Sequence, residues 1–256
     1  MRLSRFVALG DSFTEGLDDL RADGTPRGWA DLVADVLAVT QPDFHYANLA
    51  VRGLRIDQIV PAQVDLAISM QPDLATIAGG GNDILGLRVD LDGVAARLDS
   101  AVAALRATGA KTLVFTGFDP RAQLPGGRFL ARRTAAFNRN LVMSASRHGA
   151  TVINLWSMSE LLDPRLWGAD RLHMSTAGHQ HVAAVVLGRL GQPVPVGWRW
   201  IPEAWPRHRW RAARASELAW GRQHLTPWLG RKVRGRSTGD GRSPKHPVPV
   251  RWPVPD

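Results

Sequence analysis

Short apolar runs alternate with segments of helical period through the first 190 or so residues, and this alternation predicts an α/β protein: a three-layer, doubly wound parallel sheet of five strands. Two further observations agree. The chain has 256 residues, 45% of them apolar, which is enough for one α/β domain with a generous core and an appendage. Glycine-rich polar segments follow several of the apolar runs directly, as expected where ligands bind outside the carboxyl ends of parallel strands.

The strands are expected at residues 5–9, 45–49, 74–78, 112–116 and 151–154, each a short run rich in apolar residues. Between them, residues 29–39 place Trp29, Leu32, Val33, Val36 and Leu37 on one stripe, and residues 94–108 repeat Val94, Leu98, Val102 and Leu105 at intervals of three and four. Both spacings predict amphipathic helices that return the chain to a new parallel strand. A helix over 129–148 separates the last two strands, and another over 176–190 closes the domain. The sequence shows no repeat of 20 to 50 residues.

Composition changes near Pro193. Up to residue 196 basic and acidic residues balance, whereas residues 197–256 carry 13 basic and 4 acidic residues, the whole formal excess of +9. Seven of the ten tryptophans lie there too: Trp198, Trp200, Trp205, Trp210, Trp220, Trp228 and Trp252. We therefore expect a catalytic domain over 1–192 and a basic Trp/Arg/Pro-rich extension over 193–256. Within the extension, helices are expected at 211–224 and after Thr226-Pro227, where threonine suits an N-cap and proline the first helical position. Its last twenty or so residues read as extended or disordered. Arginine stacked on tryptophan suits first a strap around the domain; the next reading is a site where arginine forks hold the phosphates of a ligand such as coenzyme A. Nothing in the extension matches a nucleic-acid-binding motif, so no nucleic acid partner is expected.

The apolar run before Gly10 spans four residues, too short for a signal-peptide core or a membrane span, so a cytoplasmic location without a transmembrane segment is expected. The chain has no cysteine, which excludes a thiol nucleophile and a disulfide framework.

The chemistry concentrates in four places. Gly10-Asp11-Ser12-Phe13 follows the first apolar run, and Asp170-Arg171-Leu172-His173 comes about 160 residues later. A serine hydroxyl is a weak nucleophile at neutral pH; His173 can take its proton, and Asp170, three residues away, can hold the imidazole in the useful tautomer. Asp11 has no necessary chemical step and reads as a buried structural carboxylate. The other two places are Asn48 to Gly53 and Gly79-Gly80-Gly81-Asn82-Asp83. The triple glycine suggests a phosphate cradle, but no Lys-Ser/Thr follows it, so a nucleotide P-loop is not expected. His179 and His181 lack companions with metal-ligand spacing and are expected on a helix surface, so no metal is expected.

These four blocks, in this order, resemble those of the SGNH (GDSL) hydrolases. Gly10-Asp11-Ser12 matches the first block, Gly53 the glycine block, Gly80-Gly81-Asn82-Asp83 the Gly-x-Asn-Asp block and Asp170 to His173 the Asp-x-x-His block. The resemblance covers roughly residues 5–190 and implies the flavodoxin-like SGNH fold, a catalytic Ser12, Asp170 and His173, and an oxyanion hole built from the Ser12 and Gly53 backbone N–H groups and the Asn82 side chain. It implies hydrolysis of carboxylic esters or thioesters through an acyl-Ser12 intermediate, with no cofactor. An acyltransferase is the alternative, with an acyl-CoA donor, a short or medium chain such as octanoyl and a carbohydrate acceptor. The Arg/Ala-rich style of the chain is similar to actinobacterial members of the family. Trp156, Leu161, Leu162, Trp167 and Met174, near the Asp-His block, are candidates for an acyl pocket.

Overall fold

The computed structural model describes residues 3–86, 89–124, 126–202 and 237–253. In chain order the strands are β1 (Arg5–Gly10), β2 (His45–Asn48), β3 (Leu74–Ala78), β4 (Lys111–Phe115), β5 (Thr151–Ile153) and β6 (His246–Arg251). The helices are α1 (Ser12–Glu15), α2 (Gly28–Thr40), α3 (Ile56–Ser69), α4 (Gly81–Ile84), α5 (Leu91–Ala107), α6 (Gly127–His148) and α7 (Thr176–Leu190). One sheet of order β5-β4-β3-β1-β2-β6 holds all the strands. The first five are parallel to one another, as their alternation with helices dictates.

Successive side chains of a strand point to opposite faces, so central β1 feeds two cores. Phe6 and Ala8 join the layer of α2 and α7, where Trp29, Val33, Val182 and Val186 are buried. Val7 and Leu9 face α3, α5 and α6 with Ile59, Val102 and Leu141. The chain goes from β1 to β2 on one side and then crosses to β3 on the other. The order therefore reverses at β1, and the crevice between the β1 and β3 ends is where a doubly wound sheet binds ligands.

Helix α3 has no counterpart among the helices read from the sequence, because Pro61 lies inside it and breaks the expected pattern. The sheet also departs from expectation: it has six strands, not five, and the sixth comes from the extension and pairs antiparallel with β2. Strand β6 is His-Pro-Val-Pro-Val-Arg, and proline within a run argues against a strand. The register resolves this. Trp252 N–H donates to the Phe44 carbonyl, and Val250 and His246 pair with Tyr46 and Asn48 across a register irregularity, so neither Pro247 nor Pro249 of this edge strand has a partner on β2. They also blunt that edge against further pairing.

Trp252 completes the join. It is buried, packs edge-on against Tyr46 at 5.0 Å, and donates its indole N–H to Asp35 at 2.7 Å. At the other end of the extension Trp198 and Trp200 pack against the α2–α7 core, with the Arg165 guanidinium 4.8 Å above the Trp200 ring. The helices expected at 211–224 and after Thr226 lie outside the described residues. Among the described residues no helix is long and apolar enough to cross a membrane.

Candidate active site

Strand β1 ends where the site begins. Gly10 lies so close to β3 that a Cβ there would sit 2.4 Å from the Ala78 carbonyl oxygen. Both its backbone groups are held by one buried side chain: the Gly10 N–H donates to Gln63 Oε1 at 2.8 Å, and Gln63 Nε2 donates back to the Gly10 carbonyl at 3.0 Å. The chain then turns sharply, with Asp11 as the N-cap of α1 and Ser12 as its first residue. The serine thus stands at the mouth of the crevice on a turn whose approach is pinned from α3.

From the other side, the loop before α7 presents His173. The Ser12 hydroxyl donates to His173 Nε2 at 3.1 Å, and His173 Nδ1 donates to Asp170 Oδ2 at 2.5 Å. A carboxylate can only accept, so this pairing sets the tautomer: Nδ1 carries the proton and Nε2 offers its lone pair to the serine. Asp170 is itself fixed, because its Oδ1 accepts from the backbone N–H groups of Leu172 and His173, each at 2.9 Å. Burial would raise the Asp170 pKa, but these hydrogen bonds and the imidazole hold it down at about 2. Burial likewise would lower that of His173, yet the Asp170 hydrogen bond and charge, with Asp18 and Asp11 behind them, raise it above 6.5. Asp18 was not singled out from the sequence; a carboxylate oxygen of it lies within 4.8 Å of the Asp170 and His173 ligand atoms.

Asn82, on α4 after β3, enters the same cleft. Its Nδ2 donates to Asp11 Oδ2 at 3.2 Å and to the Leu54 carbonyl at 3.0 Å, so both amide hydrogens have protein acceptors. Asp11 is buried as expected; it accepts from Phe13 N–H with its other oxygen, and burial pushes its pKa to about 6. Asp83 accepts from the Ile56 N–H at the start of α3, and burial raises it to about 6 as well. Gly53 follows β2, as the sequence suggested, but does not line the cleft. It lies beneath the turn at residues 237–239, where a Cβ would meet Ser237 Oγ at 2.2 Å.

The cleft has a volume of about 120 Å³. Beyond Ser12 its walls are mainly apolar, with Phe13, Phe115, Phe118, Phe137, Trp167 and Met174 among them. Of the pocket candidates read from the sequence, Trp167 and Met174 line it. Leu161 is buried beside it and holds the Trp167 indole N–H through its carbonyl at 2.8 Å, while Leu162 is exposed and Trp156 stands outside, under Arg121.

The expectation for His179 and His181 is corrected: both are buried, because α7 is covered on both sides, by α2 at His179 and by the chain around Trp200 at His181. His179 also lines the cleft. Its Nδ1 accepts from the Trp29 N–H at 3.1 Å, so Nε2 carries the proton and donates to the Leu17 carbonyl at 3.0 Å. Burial depresses its pKa to about 4, and it is a neutral buttress behind Phe13. No local pattern around His179 or Gln63 could have revealed these roles, since their partners lie on other elements.

A parallel sheet with a serine, histidine and aspartate meeting at its topological switch point defines a hydrolase-like α/β class. The model of the GDSL-like lipase/acylhydrolase family matches residues 8–181, more than half of the chain. The protein belongs to that family and is an SGNH-type serine hydrolase. Among solved structures, a catalytic mutant of an acetylxylan esterase from Geobacillus stearothermophilus is similar at 20% identity and a TM-score of 0.64, over 79% of this chain and all (100%) of that one. A lipase/acylhydrolase from Enterococcus faecalis is similar at 19% identity and a TM-score of 0.59, over 76% of this chain and 99% of its own. An α/β hydrolase from the metagenome of Lake Arreo is similar at 20% identity and a TM-score of 0.61, over 73% and 95% respectively. At these identities the likeness is one of fold. No curated protein matched the chain by sequence.

Proposed function

We propose that the protein hydrolyses esters or thioesters of short acyl groups through an acyl-Ser12 intermediate. The observation that carries this reading is the continuous Ser12–His173–Asp170 hydrogen-bond relay opening onto an apolar cleft. In the proposed cycle Ser12 Oγ attacks the substrate carbonyl carbon while its proton passes to His173 Nε2. The tetrahedral intermediate collapses as His173 returns that proton to the departing alcohol or thiol. Water then attacks the acyl-enzyme, His173 again takes a proton, and the acid leaves as Ser12 is regenerated. Asp170 stays ionised and stabilises the imidazolium.

The oxyanion is assigned to the Ser12 backbone N–H and the Asn82 amide; Gly53, the third donor by resemblance, lies outside the cleft lining and is left out of the assignment. Asn82 reaches the oxyanion by sharing or giving up one of its present acceptors, and the Asp11 carboxylate keeps its nitrogen end turned toward the site. The cleft limits the acyl chain. An engineered 150 Å³ cavity accommodates benzene, so one of about 120 Å³ suits an acyl group of about six carbons or fewer.

Ser12→Ala is the direct test. It should abolish turnover of p-nitrophenyl acetate and remove single-site labelling by a fluorophosphonate, with the fold unchanged by circular dichroism. Activity of the variant within tenfold of wild type would refute the assignment. Supplying acetyl-CoA with and without sugar acceptors in the same assay, and weighing the products, separates hydrolysis from acyl transfer.

A further inference from the structure

We propose that Lys245, in the extension beyond the family-matched residues 8–181, is a positioning residue for the nucleophile. The proposal rests on the assignment of Ser12 above. Helix α1 is only four residues long, begins with Ser12 and ends with Glu15, so whatever fixes Glu15 fixes the serine. Both halves of Glu15 are held from outside the helix. Its carboxylate accepts from the Arg52 backbone N–H at 2.7 Å and from the Arg52 guanidinium, which ties α1 to the turn at residues 52–53. Its carbonyl oxygen accepts from the Lys245 ammonium at 2.9 Å.

The same ammonium also bonds the Pro26 and Arg27 carbonyls, at 3.2 and 2.6 Å, and the buried Asp31 carboxylate, at 2.7 Å. Lys245 therefore joins the end of α1 to the start of α2, with its side chain 15% exposed. The neighbouring turn grips the other partner of Glu15: a Cβ on Gly239 would sit 2.0 Å from the Arg52 carbonyl oxygen. Strand β6 anchors both contacts by pairing with β2. A segment that merely covered a sheet edge has no need of these bonds. One of them reaches the short helix that carries Ser12 directly, through the Glu15 carbonyl, and the turn at 237–239 reaches it through Arg52.

The rival explanation is that Lys245 only neutralises buried Asp31 and so stabilises the fold. A double substitution separates the two, because Asp31→Asn removes the buried charge that Lys245→Met would leave paired with Arg21 alone. For full-length wild type, Lys245→Met/Asp31→Asn and Ser12→Ala, we would measure Tm, kcat and KM on p-nitrophenyl acetate, and the rate of fluorophosphonate labelling. The brace predicts that the double variant keeps a Tm within a few degrees of wild type while kcat and labelling fall at least about tenfold at nearly unchanged KM. A double variant with kcat within twofold of wild type overturns it. Should that protein fail to fold, Lys245→Gln decides, since Arg21 still pairs with Asp31: a fall in kcat of about fivefold or more at constant Tm supports the brace, and kcat within twofold overturns it. An active Ser12→Ala would overturn the nucleophile assignment itself, whereas an inactive one beside a fully active double variant overturns the brace alone.

Discussion

Protonation of His173 removes the lone pair that Ser12 needs, so kcat/KM should fall on the acid side. The limb is set by two opposing causes: burial lowers the His173 pKa, and the bonded Asp170 carboxylate more than restores it. Activity should therefore decline as pH drops through a value above the ordinary 6.5. Asp170→Asn leaves the burial and deletes the charge. The limb should then move to lower pH while the plateau rate drops, and a limb that stayed in place would separate Asp170 from the base. Asn82→Ala is expected to lower the acylation rate by about 10² to 10³ with KM little changed, since it removes the donor proposed for the developing oxyanion. Single-turnover kinetics with p-nitrophenyl acetate reads that step directly.

The helices and strands make the cleft, and their packing bears on both acyl size and acid stability. Phe118 lies against Trp167 with ring centroids 4.4 Å apart, and both line the cleft. Trimming the half-buried ring by Phe118→Ala should shift preference toward longer acyl groups by about tenfold, the scale of one or two methylenes in an apolar pocket. A series of p-nitrophenyl esters of rising chain length measures it. His179 joins α7 to α2 and is held neutral, its folded pKa of about 4 lying below the unfolded 6.5. The unfolded chain binds the extra proton in that window, so this residue's stabilisation is complete above 6.5 and lost as pH falls toward 4, by about 3 kcal/mol in all. Asp11 and Asp83, raised by burial to about 6, act in the opposite sense over much of the same window. The comparison that isolates His179 is denaturant unfolding of wild type and His179→Gln at pH 7 and pH 4. The stability advantage of wild type should shrink by that amount between them.

At the scale of the whole molecule the extension completes the sheet. Trp252→Ala, which empties a buried site against Tyr46, should cost about 3 to 5 kcal/mol in chemical denaturation. Truncation after Gln192 removes β6, Trp198 and Trp200 together and leaves the β2 edge unpaired. We expect a lower Tm and concentration-dependent association by light scattering, with small-ester and acyl-CoA turnover reduced alike. Selective loss of acyl-CoA turnover would instead favour phosphate recognition by the basic residues of the extension.

Much of this protein is legible in local sequence because its information is local there. Apolar runs and helical stripes mark the first five strands and most of the helices, motifs placed directly after strand ends mark Ser12 and Asn82, and the Asp-x-x-His spacing marks the Asp170–His173 pair. Backbone topology alone brings those ends to one edge. Other features depend on partners remote in the chain. Proline hid α3, through Pro61, and β6, where only the register against β2 shows that Pro247 and Pro249 have no partner there. His179, Gln63 and Lys245 are ordinary polar residues until folding places Trp29, Gly10 and Glu15 within hydrogen-bond reach. The sequence by itself determined the five parallel strands, most of the helices and the proposed reacting groups, because periodicity and short motifs act over a few residues. Tertiary structure decided which buried polar groups hold them, because a hydrogen bond depends on separation in space and not along the chain.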